Sequence, residues 1–162
     1  MTHSGTFVVR CDPEAAFNLL STPERFAPLL PDLESMTMQD ATHFTIRTLL
    51  DIGRINGRIN LSMELSEASR PHRVGYRGHG VIAGSPLQFE LGFRITPVDG
   101  MTEIQWHGEV RLNGSLIFLA GDLLDTMSRH NFGRMADSLQ CTLRRLSLSS
   151  AGGETSLPDF EI

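Results

Sequence analysis

The chain has 162 residues, of which 40% are hydrophobic and 20% charged, and its longest uninterrupted apolar stretch is residues 116–120. A chain of this length forms one domain that buries roughly 70% of its unfolded surface, and a membrane span would need about 18 consecutive apolar residues. The formal net charge of −5 also argues against a nucleic acid partner, because an acidic surface repels a phosphate backbone.

The first thirty residues predict a strand followed by two short helices. Residues 6–11 form a β-prone run. Asp12 and Pro13 then supply an N-cap and a first helical residue, so a helix is expected to begin at Pro13. A second start at Pro23 is closed within about two turns by Pro28.

From residue 34 the hydrophobic period changes to two, which predicts six further strands. They are expected at residues 36–38, 43–52, 58–65, 73–82, 87–95 and 102–112. The Asn56-Gly57 pair predicts a tight hairpin turn between the second and third of them. Each strand has one apolar and one polar face, which is typical of an antiparallel sheet covered on one side only.

One long helix after Gly114 is predicted to cover the apolar face of the sheet. Apolar residues from Leu116 to Leu146, including Leu123, Met127 and Met135, recur at helical spacing over about thirty residues. Residues 149–162 have neither period, so the sequence predicts a single domain over residues 1–148 and a flexible polar tail over residues 149–162.

This order of elements predicts an α+β helix-grip fold, in which a curved seven-stranded antiparallel sheet wraps around the last helix and encloses a cavity. It resembles the START and birch-allergen-like superfamily. Four segments are similar to the CoxG family of carbon monoxide dehydrogenase proteins: DPEAAF at 12–17, TPERFAPLLP at 22–31, IGRINGR at 52–58 and TEIQW at 102–106. The resemblance implies an auxiliary role beside a molybdenum hydroxylase, and hence a dehydrogenase-type protein partner. Membrane-attached members carry a longer apolar C-terminal extension, so the short polar tail does not favour peripheral membrane contact here.

The predicted inward face is apolar, rich in methionine and interrupted by glycine, which suits a hydrophobic small molecule that is lipid-like, quinone-like or polycyclic. The inward glycines are interpreted either as sheet bends or as the floor of an open cavity. The residues expected to line the cavity are Phe26, Met36, Phe44, Ile46, Thr48, Leu61, Met63, Tyr76, Gly78, Phe89, Leu91, Phe93, Trp106, Gly108, Met127 and Met135.

No acid–base or metal site is predicted. No histidine or carboxylate falls on the inward face, and His79 and His107 lie on the outward one. His130, on the long helix, is the remaining candidate for a polar group at the cavity mouth. The Tyr76 hydroxyl could bind a ligand carbonyl or be bonded to the backbone, and both interpretations stay open.

The leading hypothesis is therefore a non-enzymatic carrier or accessory protein without catalytic residues, metal or cofactor. One alternative is a cyclase or dehydratase in which Tyr76 and Thr48 orient a polyketide-like substrate. Another is a ligand-free interaction module that uses the outer sheet face. The N-terminus has no secretory signal pattern, so a cytoplasmic location is expected.

Overall fold

Seven antiparallel strands form one sheet in this computed structural model. The structure describes the backbone of residues 1–52, 55–114 and 116–159, and the side chains of these except 52, 55, 116–120 and 148–159. The strands are β1 (Thr2–Val9), β2 (Leu33–Met38), β3 (His43–Ile52), β4 (Ile55–Ser69), β5 (Arg73–Ile82), β6 (Ser85–Val98) and β7 (Met101–Leu112). Their order in the sheet is β1-β7-β6-β5-β4-β3-β2, so β1 and β2 form the two edges.

The predicted alternation of buried and exposed residues is present. Along β6, Leu91, Phe93 and Ile95 are buried, whereas Gln88 and Arg94 are exposed. Because side chains alternate across a strand, the sheet has one buried face and one solvent face.

Within the described residues, three helices accompany the sheet: α1 (Pro13–Ser21), α2 (Pro23–Phe26) and α3 (Leu116–Asp159), and a 3-10 turn follows α2 at Ala27–Leu29. α1 begins where it was predicted, and the Asp12 carboxylate accepts a hydrogen bond from the Glu14 backbone N–H at 3.4 Å. α3 contacts β1, β3 and β7. Since β1 and β3 lie near opposite edges, the sheet must bend around α3 to reach it, which is the predicted helix-grip arrangement.

The predicted turn at Asn56-Gly57 is wrong. Ile52 pairs with Ile55, and Asn56 and Gly57 lie inside the β3–β4 ladder. This register places Phe44 opposite Met63 and Ile46 opposite Leu61, whereas a turn at 56–57 would place Phe44 opposite Ser69. Pairing of apolar side chains on the buried face therefore decided the register.

The chain after residue 148 also differs from expectation. The sequence predicted that the long helix ends near Leu146, but α3 continues to Asp159. The flexibility of the tail from Ser149 stays a prediction. A glycine costs only about 1 kcal/mol relative to alanine inside a helix, so Gly152-Gly153 does not end this one. Residues 160–162 of the predicted tail lie outside the described residues, and the domain boundary at 148 stays a prediction.

The buried face of the sheet has two halves. Where β5 begins and β6 ends, α1 packs on the sheet, and Leu20 and Phe26 are fully buried. At the opposite end, around the β3–β4 and β5–β6 connections, α3 and the segment after the 3-10 turn provide the cover, and the interior there is hollow.

Candidate functional site

A cavity of about 150 Å³ lies between the sheet and α3. Its walls come from the buried faces of β3 to β7, from α3, and from Leu30 and Pro31 after the 3-10 turn. Leu49, which is 49% exposed, also lines it and marks the side that opens to solvent. None of the described lining residues is charged.

Seven of the residues predicted to line a cavity do so. They occupy neighbouring inward positions on β3, β4 and β6, together with two methionines of α3. These residues are Ile46, Thr48, Leu61, Phe89, Leu91, Met127 and Met135.

Four further candidates form a packed aromatic cluster in the other half of the interior. The Phe26 and Tyr76 rings stack at 4.5 Å between centroids. Phe93 meets Phe26 edge-on at 5.6 Å, and Phe44 meets Tyr76 edge-on at 6.1 Å. These rings fill the core in that half, and they are absent from the cavity lining.

The Tyr76 hydroxyl is bonded to the backbone, which was one of its two interpretations. It donates a hydrogen bond to the Leu20 carbonyl oxygen at 2.5 Å. Burial, with a smaller contribution from Glu24, raises the pKa of Tyr76 above its ordinary value, so the group stays protonated and engaged. The hydroxyl therefore has no free proton to offer a substrate.

The inward glycines do not form an open floor, which corrects one interpretation of Gly78 and Gly108. A Cβ at Gly78 would collide with the Phe89 ring and lie 2.7 Å from the Met63 sulfur. A Cβ at Gly108 would lie 2.6 Å from Cε1 of Phe132. Large neighbouring side chains already occupy the space that each glycine leaves, so these glycines allow close packing.

The remaining candidates lie beside the cavity. Trp106 is 8% exposed and packs 5.9 Å from the Phe132 ring, which does line the cavity. Met63 is buried over Gly78, and Met36, on the edge strand β2, is half-buried against the core.

Several residues that α3 turns inward were not predicted from the sequence. Leu123, predicted to face the sheet, is 54% exposed, and Leu124 is buried in its place. The side chains of Leu116 and Ala120 lie outside the described residues. The inward face continues through Ser128, Asn131 and Phe132 to Met135. The spacing of four, three and four from Leu124 was the available signal, but Ser128 and Asn131 are polar and were not counted as inward.

Three polar side chains line this otherwise apolar cavity: Thr48, Ser128 and Asn131. Within the described residues none of the three side chains has a hydrogen-bond partner. Ser128 is only 6% exposed. By contrast, the exposed Thr126 on the same helix donates to the Asp122 carbonyl oxygen at 3.0 Å. Because the Ser128 hydroxyl on the cavity wall does not form this local bond, it remains available to bind a guest.

Among the described residues that line the cavity, none has a side chain that could act as a general acid or base. His79 and His107 are exposed on the outer face, as predicted, and His130 is exposed on α3 and does not line the cavity. Across the described parts of the chain, no three His, Cys, Asp or Glu side chains gather in a way that could hold a metal ion.

Two larger depressions, of about 510 and 470 Å³, lie on the solvent face of the sheet. The first is lined by charged side chains that already pair with one another, including Arg77–Glu90 at 3.6 Å and Arg111–Glu109 at 2.8 Å. The apolar cavity under α3 is therefore the candidate ligand site, although it is the smallest of the three.

A known protein family matches this chain over most of its length. The model of the CoxG family, described as a subunit of carbon monoxide dehydrogenase, matches residues 5–144. The chain belongs to the CoxG family. The residues matched include all seven strands after the first positions of β1 and most of the α3 segment that covers the cavity.

Solved structures resemble this CoxG-family chain in fold. A conserved protein from Geobacillus kaustophilus has a TM-score of 0.76 at 12% identity, with 90% of this chain and 96% of that chain covered. A START superfamily protein from Mycobacterium smegmatis has 0.66 at 12% identity, with 90% and 98% covered. The Zhui aromatase/cyclase from a Streptomyces species has 0.62 at 14%, with 90% and 94% covered. These matches place the chain in the START-like helix-grip fold.

A comparison with curated proteins finds no match. The described helices include none with the length and apolar character that a bilayer crossing requires.

Proposed function

We propose that this CoxG-family chain is a non-enzymatic carrier or accessory protein that binds an uncharged hydrophobic small molecule in the cavity between the sheet and α3. The observation that carries the proposal is the set of three unpartnered polar side chains, Thr48, Ser128 and Asn131, in a cavity whose described lining carries no charge. Binding sites for small molecules combine apolar walls with a few such groups, which orient the guest.

The polar groups also favour a particular kind of ligand. Two hydroxyls and one amide can donate to a carbonyl or accept from a hydroxyl. A carboxylate or ammonium group would be buried there without an opposite charge, at a cost of several kcal/mol. A neutral lipid, a quinone or a polycyclic alcohol or ketone therefore fits better than a fatty acid or an amine.

The cavity volume limits how much of the ligand enters. An apolar cavity of about 150 Å³ accommodates a molecule of benzene size, whereas ligand pockets commonly reach about 300–1,000 Å³. One ring or the end of a chain fits inside as the cavity stands. The remainder of a larger ligand would leave past Leu30 and Leu49, or α3 would move away from the sheet.

Family membership supports an association with carbon monoxide dehydrogenase systems. We propose that the partner is a molybdenum hydroxylase of that type. The cyclase alternative has less support, because the Tyr76 hydroxyl is bonded to Leu20. An interaction module without a ligand would not need a cavity lined by unpartnered polar groups.

A fluorescence titration with 2-naphthol tests the binding proposal. Trp106, the single tryptophan of the chain, lies beside the cavity-lining Phe132 and reports on the site. We expect saturable quenching in the native chain. The variant Ser128→Ala should weaken binding about 2- to 10-fold, as expected for loss of one hydrogen bond, and Ser128→Leu should abolish it by filling the cavity.

Thr126→Ala is the matched control, because Thr126 is on the same helix and exposed. It should bind as the native chain does. Native mass spectrometry of gently purified protein would detect a natural ligand that co-purifies, as an increase in the mass of the protein. Absence of saturable quenching, together with repeated purification of empty protein, would refute the proposed function.

A further inference from the structure

The solvent face of β5 and β6 carries an unusual sequence of directly opposed pairs. At one end Arg77 opposes Glu90, next Gly75 opposes Gly92, and then Arg73 opposes Arg94. The first pair is a conventional cross-strand ion pair with 3.6 Å between Arg77 Nε and Glu90 Oε1. The last pair brings two cations together at neighbouring positions, where like charges destabilise a sheet.

Neither arginine of the Arg73–Arg94 pair has its charge neutralised. Among the described residues, Arg73 and Arg94 have no ion-pair or hydrogen-bond partner. Six other arginines of this acidic chain do have a carboxylate partner, namely Arg58, Arg70, Arg77, Arg111, Arg129 and Arg134. The Arg73–Arg94 pair is therefore a point of uncompensated positive charge on the outer face.

The two arginines form part of the wall of the 470 Å³ depression, with Thr6, Gln105 and His107 among the other lining residues. Gly92 contributes no side chain, and the His107 ring lies so close over it that a Cβ there would collide with the imidazole. The wall thus offers two guanidinium groups and the Thr6 hydroxyl as donors, whereas the Gln105 amide already donates to Glu103 at 2.9 Å. Glu67 is the single described carboxylate of the lining, and it belongs to the row of Gly75, one row away from the arginine pair.

We propose that Arg73 and Arg94 form a binding site for the phosphate or carboxylate group of a small anionic molecule. Guanidinium groups bind such oxyanions through two parallel hydrogen bonds each, and an anion between the two side chains would cancel their mutual repulsion. The depression has the volume of a small-molecule site. It lies on the opposite face of the sheet from the apolar cavity, so this site goes beyond the proposed carrier function.

Inorganic pyrophosphate is the probe, titrated into the ¹⁵N-labelled full chain at low ionic strength. We expect saturable chemical-shift changes at the Gly92 amide and its neighbours, with a midpoint at millimolar pyrophosphate. The midpoint should move to higher pyrophosphate concentration as salt is added. Pyrophosphate should also raise the melting temperature, because it binds the folded chain. Arg73→Gln and Arg94→Gln should each weaken binding about tenfold or more.

Arg77→Gln is the matched control, since Arg77 is an exposed arginine on the same strand whose charge Glu90 already neutralises. It should leave the affinity for pyrophosphate unchanged. Arg94→Glu should raise the melting temperature without pyrophosphate, because it would repeat the Arg77–Glu90 arrangement, and it should abolish binding. Absence of saturable shifts, or equal weakening by Arg77→Gln, would overturn the proposal. Binding of 2-naphthol in the cavity should be the same in all four variants.

Discussion

Alanine at Gly108 should destabilise the protein through the Phe132 ring. The added Cβ would lie 2.6 Å from Cε1 of that ring. Carbon atoms pack best at about 3.5–4.0 Å, so the ring would have to retreat by roughly 1 Å. Its retreat is opposed by Trp106, with centroids 5.9 Å away, and by His3 at 5.8 Å.

The magnitude follows from two opposing effects. Overpacking a filled core costs about 1–3 kcal/mol, and alanine stiffens the unfolded chain enough to offset about 0.4–1 kcal/mol of that. The net loss is then on the order of 1–2 kcal/mol, which for a chain of this size lowers the melting temperature by about 2–8 °C. Differential scanning calorimetry together with urea unfolding measures it.

Gly133 provides a control of opposite sign. It is the next residue on α3, and a Cβ there would meet nothing within 4 Å. Gly133→Ala should raise the free energy of unfolding by about 0.5–1 kcal/mol through helix propensity alone. In a Phe132→Ala background, Gly108→Ala should lose its cost, because the clashing ring is gone.

A Gly108→Ala variant that melts at or above the native temperature would refute this reasoning. It would mean that the Phe132 ring does not fill the space above Gly108, and that Gly108 does form part of an open floor.

Two further predictions concern groups away from the cavity. Tyr76→Phe should cost about 1–3 kcal/mol, because it leaves the buried Leu20 carbonyl without its donor; an unchanged urea midpoint would contradict the hydrogen bond. Asp40 accepts backbone hydrogen bonds from Thr42 at 2.8 Å and His43 at 2.7 Å, and these lower its pKa to about 2. Because the pKa is lowered, the stabilisation of this turn is complete at neutral pH and is lost as the pH falls from about 4 towards 2. A carbon-detected NMR titration of the Asp40 carboxyl with a midpoint near 4 would be inconsistent with that geometry.

The secondary structure was largely predictable because its signals are local. Alternation of apolar residues gave β3 and β5 with the bounds that the structure has, and Asp12 and Pro13 gave the start of α1. A sheet with one buried face repeats this signal along every strand. The position of the β3–β4 reversal was wrong because the Asn56-Gly57 signal is also local, whereas the register depends on pairing between distant residues.

The site was less predictable because its shape depends on packing. The alternation of residues along β5 assigned Gly78 to the buried face, but only the structure shows that the Phe89 ring covers it. The rotation of α3 that buries Leu124 instead of Leu123 brings Ser128 inward, and a count of apolar residues missed this rotation because Ser128 and Asn131 are polar. Likewise, Arg73 and Arg94 become neighbours through the β5–β6 register alone.

The division of the interior into a packed aromatic half and a hollow half implies an uneven resistance to opening. Around Tyr76 and Phe26, opening must break a ring stack and a buried hydrogen bond, so backbone amides there should exchange with solvent only through global unfolding. Around the cavity fewer contacts are lost when α3 moves away from the sheet. Hydrogen exchange there should proceed through a local opening of lower free energy. The same local opening would admit a ligand to the cavity. The packed aromatic half would keep the chain folded while the half that contains the cavity opens and closes.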